Sequence, residues 1–318
     1  MLIVRIAKRT VVADGICSFE LVAVDSATLP PFSAGSHIDV HLPGGWVRQY
    51  SLCNSSEEKN RYLIGVLKDP QSRGGSIAMH ELVENDQVVI SEPRNHFPLA
   101  PRAQHSVLIA GGIGVTPLLC MAERLANEEA SFELHYCART LGKIAFKDRL
   151  KLDHLIGHTF IHLDDSDEAQ RFDARTTLNR RNDSDTHVYT CGPGPFIDMV
   201  LETARACGYQ ESQLHREYFS TGVLAAPGED QPFQVRIASS GKTISVGADK
   251  TVVSVLAEHG INVPVSCEQG VCGTCVTRIL QGVPLHRDVY MTDAEHAAND
   301  QFTPCCSRSR TPVLVLDL

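Results

Sequence analysis

Short β-rich, largely apolar runs alternate with polar turn residues through the first hundred residues: Leu2 to Ile6, Ile16 to Val24, His37 to Leu42, Arg48 to Leu52, Tyr62 to Leu67 and Gln87 to Ser91. Regular alternation of such runs with turns predicts an antiparallel β-barrel over residues 1–102. Within it, Ile77 to Val83 has the spacing of a short helix. From Ser106 the pattern changes. Apolar strands are each followed by a helical stretch: Val107 to Ala110 then Pro117 to Ala130, Phe132 to Cys137 then Phe146 to Leu155, and Val188 to Cys191 then Pro195 to Cys207. This alternation predicts an α/β domain with a parallel sheet over residues 103–223. Residues 224–232 combine Ala, Pro, Gly, Glu and Asp with little to bury and read as a linker. A third domain is expected over 233–318.

Composition narrows the class. The chain has 318 residues, 38 acidic against 29 basic, and a formal net charge of -9. Acidic chains of ordinary hydrophobicity are poor partners for nucleic acid or anionic membranes, so neither is expected. Ala103 to Ala122 carries no formal charge over a length that could span a bilayer, but Gly111, Gly112, Gly114 and Pro117 interrupt it. A buried strand, a glycine turn and a helix start fit it better than a membrane span. Only four apolar residues precede Arg5, too few for the core of a signal peptide, so a cytoplasmic location is expected. Eleven cysteines in such a chain point to metal, redox chemistry or plain burial rather than to disulfides.

Cys267, Cys272 and Cys275 lie in SCEQGVCGTC, and 29 residues separate Cys275 from Cys305. C-x4-C-x2-C with a distant fourth cysteine is the plant-type [2Fe-2S] spacing. Gly270 and Gly273 permit the tight loop that three converging thiolates require. Structural zinc would call for paired C-x-x-C knuckles or histidines, and the second pair is missing. Cys305 and Cys306 are adjacent, and in an extended chain their side chains point apart, so one of the two is expected to bind iron.

SVLIAGGIGVTPLLCMAERL reads as strand, glycine turn and helix, with Thr116 as N-cap and Pro117 in the first turn. Gly111, Gly112 and Gly114 would let a pyrophosphate approach that helix end. As a dinucleotide fingerprint the run is imperfect, because Pro117 stands where G-x-G-x-x-G needs its last glycine. A second strand, turn and helix, HVYTCGPGPFIDMV, puts Gly192, Pro193 and Gly194 at a strand's carboxyl end, where open α/β sheets bind ligands. By composition alone, Cys191 within it reads first as a small core residue. RQYS at Arg48 to Ser51 places Arg48 and Tyr50 on one face of a strand, and SRGGS offers Arg73, Gly74, Gly75 and Ser76 as an anion-binding turn. Taken singly, these are also an ordinary amphipathic strand and a solvated loop.

Together these motifs carry a resemblance. GGIGVTP followed by CGPGPF resembles the ferredoxin-NADP reductase superfamily, and the carboxyl-terminal domain resembles plant-type ferredoxins, which implies an α+β (β-grasp) fold there and selects Cys305 as the fourth iron ligand. With its order of flavin barrel, nucleotide domain and ferredoxin, the whole chain resembles the phthalate dioxygenase reductase family. That resemblance implies FMN, NADH and a [2Fe-2S] cluster as cofactors. It assigns Arg48 to the flavin phosphate and Tyr50 to the isoalloxazine ring, and beside that flavin the turn with Arg73, Gly74, Gly75 and Ser76 is the second expected anion site. Ser51 approaches the reactive edge, Cys191 lies beside the nicotinamide, and Phe219 of REYFS covers the flavin with Glu217 assisting. The nucleotide is implied to rest on Gly111, Gly112, Gly114, Thr116, Pro117, Gly192 and Pro193. The implied partner is a Rieske non-haem iron oxygenase on a separate chain, since no C-x-H Rieske pattern occurs here. A plant-type cluster near about -400 mV lies well below a Rieske centre at about -150 mV or above, which gives electron flow its direction. Finally, Asp164, Asp165 and Asp167 follow a predicted strand, Thr159 to Leu163, and would repel a 2′-phosphate, favouring NADH over NADPH.

Overall fold

The computed structural model describes residues 1–318 except 26–27, 71, 73, 181–184 and 220–229. It divides into two compact units, residues 1–219 and 220–318.

Twelve-residue β1 (Leu2–Ala13) opens the first unit, followed by β2 (Ile16–Ala23), β3 (Ser36–Leu42), β4 (Trp46–Ser51), β5 (Tyr62–Leu67), α1 (Gly75–Glu81), β6 (Gln87–Ile90) and β7 (Arg94–Asn95). The strands pair in the order β4-β3-β6-β1-β2-β5, with β7 on β3, all antiparallel. A bridge between Leu52 and Ile64 joins the two edges, so the sheet closes on itself as the alternation predicts. Its inward positions, among them Val4, Ile6, Phe19, Leu21, Ile38, Val40 and Ile64, form one core.

The second half of this unit runs β8 (His105–Gly111), α2 (Val115–Asn127), β9 (Ser131–Ala138), α3 (Lys147–Leu150), α4 (Asp153–Ile156), β10 (Thr159–Leu163), α5 (Ala174–Asn179), β11 (Thr186–Gly192), α6 (Gly194–Ala206) and β12 (Leu214–Tyr218). The sheet is wholly parallel in the order β10-β9-β8-β11-β12. All seven residues of β8 are buried, as befits a central strand covered on both faces. One core joins α2 and β9 to Ile16, Ala34, Cys53 and Phe97 of the barrel, so the two sheets are packed together.

Two local expectations need correction. The helix expected over Phe146 to Leu155 is two single turns, because Phe146 is left-handed (φ 57°) and Leu152 is extended. Ile144, Ala145 and Phe146 are buried and anchor the start of the segment, and each turn adds one buried leucine, Leu150 and Leu155. Thr116 is not an N-cap: a 3-10 turn over Gly112–Gly114 runs straight into α2, and the Thr116 hydroxyl donates back to the Ile113 carbonyl (3.0 Å). The periodicity also missed β12 and α5.

In the second unit, β13 (Phe233–Ile237), β14 (Thr243–Val246), α7 (Val252–Glu258), β15 (Thr277–Gln281), β16 (Pro284–Leu285), α8 (Asp293–Ala298), β17 (Gln301–Phe302), β18 (Arg308–Ser309) and β19 (Val313–Leu316) follow in order. The main sheet, β14-β13-β19-β15-β17, is mixed, and α7 packs over it through Val252, Val255 and Leu256. Of the expected linker, residues 224–229 lie outside the described residues. Asp230 is held by both guanidinium nitrogens of Arg287. No helix among the described residues is long and apolar enough to cross a membrane.

Candidate functional site

Strand order fixes where the crevice lies. β8 has β9 on one side and β11 on the other, so the chain reverses direction of winding between them, and ligands of open α/β sheets bind outside the carboxyl ends at such a point. The two glycine turns end those two strands. A Cβ on Gly114 would fall 2.2 Å from the Cys191 carbonyl oxygen, so the turns touch backbone to backbone. Gly112 (φ 56°) and Gly194 face open space, while Phe196, from the first turn of α6, lies over Gly111 and Gly192. Pro193 precedes α6 and Pro117 stands in the first turn of α2. The bare backbone at this switch point fits a dinucleotide's pyrophosphate.

Barrel residues complete the crevice. Ser51, the last residue of β4, donates its hydroxyl to the Glu217 carboxylate (3.1 Å) across 166 positions of sequence. Glu217 in turn is the ladder partner of Cys191, which is fully buried. Phe219 packs on the core cluster that contains Cys191. Three of the four residues expected to act at the nicotinamide, Ser51, Cys191 and Glu217, are therefore together, and Phe219 follows two positions after Glu217. Burial pushes the Glu217 carboxyl up to about 7, against the lowering effect of the Ser51 hydrogen bond. Burial likewise raises the Cys191 thiol well above its ordinary range.

Along β4, Arg48 and Tyr50 are paired with Val40 and Ile38 of β3 and share a face. The Arg48 guanidinium lies over the Trp46 ring (4.9 Å) and donates to the Val47 carbonyl (2.7 Å). A Cβ on Gly75 would fall 2.4 Å from Arg48 Nε, which joins this strand to the expected phosphate turn. Gly74 (φ 119°) passes close to Trp46, and Ser76 Oγ accepts from the Asp69 amide (3.1 Å). Arg73 lies outside the described residues. A guanidinium beside bare backbone and hydroxyls is a donor set that fits a flavin phosphate.

In the second unit, the thiol of Cys267 interacts with those of Cys272 and Cys305, and Cys305 also with Cys275. All four are buried. Gly270 (φ 72°) and Gly273 (φ 69°) have the left-handed backbone the tight loop requires. The Cys306 thiol interacts with that of Cys305 as well, and its Sγ also lies 3.3 Å from Thr303 Oγ1 and is pressed on Gly270. Four convergent thiols fit an iron-sulfur cluster. Asp288 is the hub behind this loop, accepting from the Met291 amide (2.9 Å) and Thr303 hydroxyl (3.2 Å), with His296 Nε2 at 3.2 Å. Sequence reading overlooked Asp288, Trp46 and Phe196; of these only Phe196, inside GPGPF, carried a local signal.

Residues 235–310 match the 2Fe-2S iron-sulfur cluster binding domain family, and residues 108–202 the oxidoreductase NAD-binding domain family. Over 308 residues the chain is 55% identical to the vanillate O-demethylase oxidoreductase of Pseudomonas putida, covering 96% of each. It is 37% identical to the phthalate 4,5-dioxygenase oxygenase reductase subunit of Pseudomonas putida, covering 99% of this chain and 96% of that one. Among solved structures it is similar to phthalate dioxygenase reductase, described as a modular structure for electron transfer from pyridine nucleotides to [2Fe-2S]. The TM-score is 0.83 at 39% identity, over 100% of this chain and 98% of the other.

Proposed function

Because this chain belongs to the phthalate dioxygenase reductase family, we propose that it takes hydride from NADH at Ser51, Cys191 and Glu217 and supplies electrons to a separate Rieske non-haem iron oxygenase. The protein is an oxidoreductase whose cofactors are FMN, a [2Fe-2S] cluster and a nicotinamide dinucleotide, and its electrons go to an oxygenase. When bound, the flavin accepts two electrons together and gives them up singly, while the cluster carries one at a time. The observation that carries the proposal is the Ser51–Glu217 hydrogen bond, which ties the flavin strand to the nucleotide sheet beside Cys191. Vanillate O-demethylation is the partner reaction we favour, from the 55% identity.

In this reading, Gly111, Gly112, Gly114, Thr116, Pro117, Gly192 and Pro193 form the nucleotide's backbone cradle, and Phe219 covers the flavin face. Arg48, Gly74, Gly75 and Ser76 hold the flavin phosphate and Tyr50 lies along the ring. Cys267, Cys272, Cys275 and Cys305 are the iron ligands. Asp164, Asp165 and Asp167 follow β10, all three exposed, and repel a 2′-phosphate. Anaerobic titration of the purified protein tests the whole: NADH should bleach the flavin and reduce the cluster, with NADPH far less effective. Absence of bleaching would sink the proposal, and equal kcat/KM for both nucleotides would remove the role of the aspartates.

Two further results are expected. Arg48→Ala should weaken FMN retention by about 1.5–3 kcal/mol, the worth of a charge-assisted phosphate contact, and leave the cluster spectrum intact. An unchanged FMN dissociation constant would assign the phosphate to another group.

Glu217 gives a pH dependence. With its carboxyl at about 7, it is mainly neutral below that pH and charged above. A carboxylate here favours the positive charge that nicotinamide gains on losing hydride, so flavin reduction should quicken as pH rises through 7. Glu217→Gln should flatten the step, and identical profiles in both proteins would assign it elsewhere. For stability the sign is opposite. The folded chain keeps a proton on Glu217 between the ordinary 4.5 and about 7 that the unfolded chain releases, so this group's contribution falls as pH rises across that window.

A further inference from the structure

Electrons must leave through the surface over the ligand loop, and one side chain there is unlike its neighbours. Tyr290 is 46% exposed, yet its ring is pressed onto the backbone of Gly273, between Cys272 and Cys275. A Cβ on Gly273 would fall 2.2–2.6 Å from three atoms of that ring, so glycine at 273 is what gives the ring its seat. The turn that presents Tyr290 is fixed on both sides. Val289 donates its amide to the Gly270 carbonyl (3.1 Å), and Met291, itself buried, donates to the Asp288 carboxylate (2.9 Å). Asp288 is held in turn by Thr303 and His296. The Tyr290 hydroxyl has no hydrogen-bond partner among the described residues.

Exposure of a large aromatic ring is unfavourable in itself, and rigid presentation removes the entropy that a partner would otherwise have to freeze out on binding. A ring with a polar tip, low side-chain entropy and a fixed seat has the character of an interface anchor. Its position is also the one the reaction needs, because a ring lying on the segment between two iron ligands can be covered only by something that approaches the cluster.

Resting on the electron-transfer reading above, we infer that Tyr290 is the docking anchor for the acceptor oxygenase and sets its affinity. The ring inserts into an apolar pocket of the partner and brings the ligand loop against it. Tyr290 takes no part in hydride transfer.

The test uses the full-length holoprotein with the Rieske oxygenase component of a vanillate O-demethylase. Tyr290→Ala should raise the KM for the oxygenase about tenfold, the loss of one aromatic anchor, with kcat nearly unchanged. Tyr290→Phe should keep most of the affinity. Cluster absorbance, cluster midpoint potential and NADH-dependent ferricyanide reduction should match the wild type, which a merely structural role in the ligand loop would not allow. An unchanged KM in Tyr290→Ala, or a raised KM accompanied by a shifted potential, overturns the inference. A wild-type protein that bleaches with NADH but cannot feed the oxygenase would instead overturn the acceptor assignment on which it rests.

Discussion

Cys305→Ser is expected to leave the carboxyl-terminal unit without its cluster, whereas Cys306→Ser should keep a near-normal iron content and spectrum. Spacing alone leaves two adjacent thiols. Packing favours the first, since Cys305 interacts with Cys267 and Cys275 as well as with Cys306, while Cys306 meets the group through Cys305 and otherwise lies against Thr303, Ser307 and Gly270. Serine at 305 removes the soft thiolate that iron-sulfur sites select. Serine at 306 still offers Thr303 a hydroxyl, so the turn behind the loop is retained. Both variants should allow NADH to bleach the flavin, because hydride transfer lies upstream of the cluster. Only Cys305→Ser should fail to reduce a one-electron acceptor. Iron analysis and the visible spectrum decide the matter, and stoichiometric iron in Cys305→Ser with loss in Cys306→Ser would exchange the two assignments.

What the sequence revealed and what it hid follow one physical division. Strands whose burial alternates by period two, such as Gln87–Ile90, were readable because each residue's side of the sheet is set by its neighbours in the chain. The three clustered cysteines were readable for the same reason, since one loop must carry them. Phe146–Leu155 misled because its apolar start is a buried plug and its charged remainder, KDRLKLDH, is broken at the extended Leu152, which separates the turns that bury Leu150 and Leu155. Longer-range features left little local trace. Ser51 and Glu217 were each recognised within a motif, but their hydrogen bond exists only once the barrel packs on the parallel sheet. Asp288 sits in a loop with no periodicity, and its importance comes from Met291, His296 and Thr303 meeting it after folding.

That long-range dependence makes Gly114→Ala the most severe single change expected at the nicotinamide crevice. Gly114 has ordinary right-handed dihedrals, so alanine suffers no backbone strain there. The obstacle is space: the new methyl would lie 2.2 Å from the Cys191 carbonyl oxygen and 2.6 Å from the Gly192 amide nitrogen, both backbone atoms that cannot rotate away. The glycine turn and the end of β11 must then separate. Cys191 moves with β11, and Glu217, its ladder partner, is drawn from Ser51. Overpacking of this kind costs about 1–3 kcal/mol in stability, which a large unit can tolerate. The kinetic loss is greater, because a displacement of about 1 Å in a reacting constellation can cost about a hundredfold in rate. Gly114→Ala should therefore fold, retain FMN and show a normal cluster spectrum, while NADH bleaches its flavin about a hundred times more slowly. Gly157→Ala is the control, since a methyl there meets nothing within 4 Å. Stopped-flow bleaching that matches the wild type in Gly114→Ala would show that the close approach of the two turns does not set the hydride-transfer geometry.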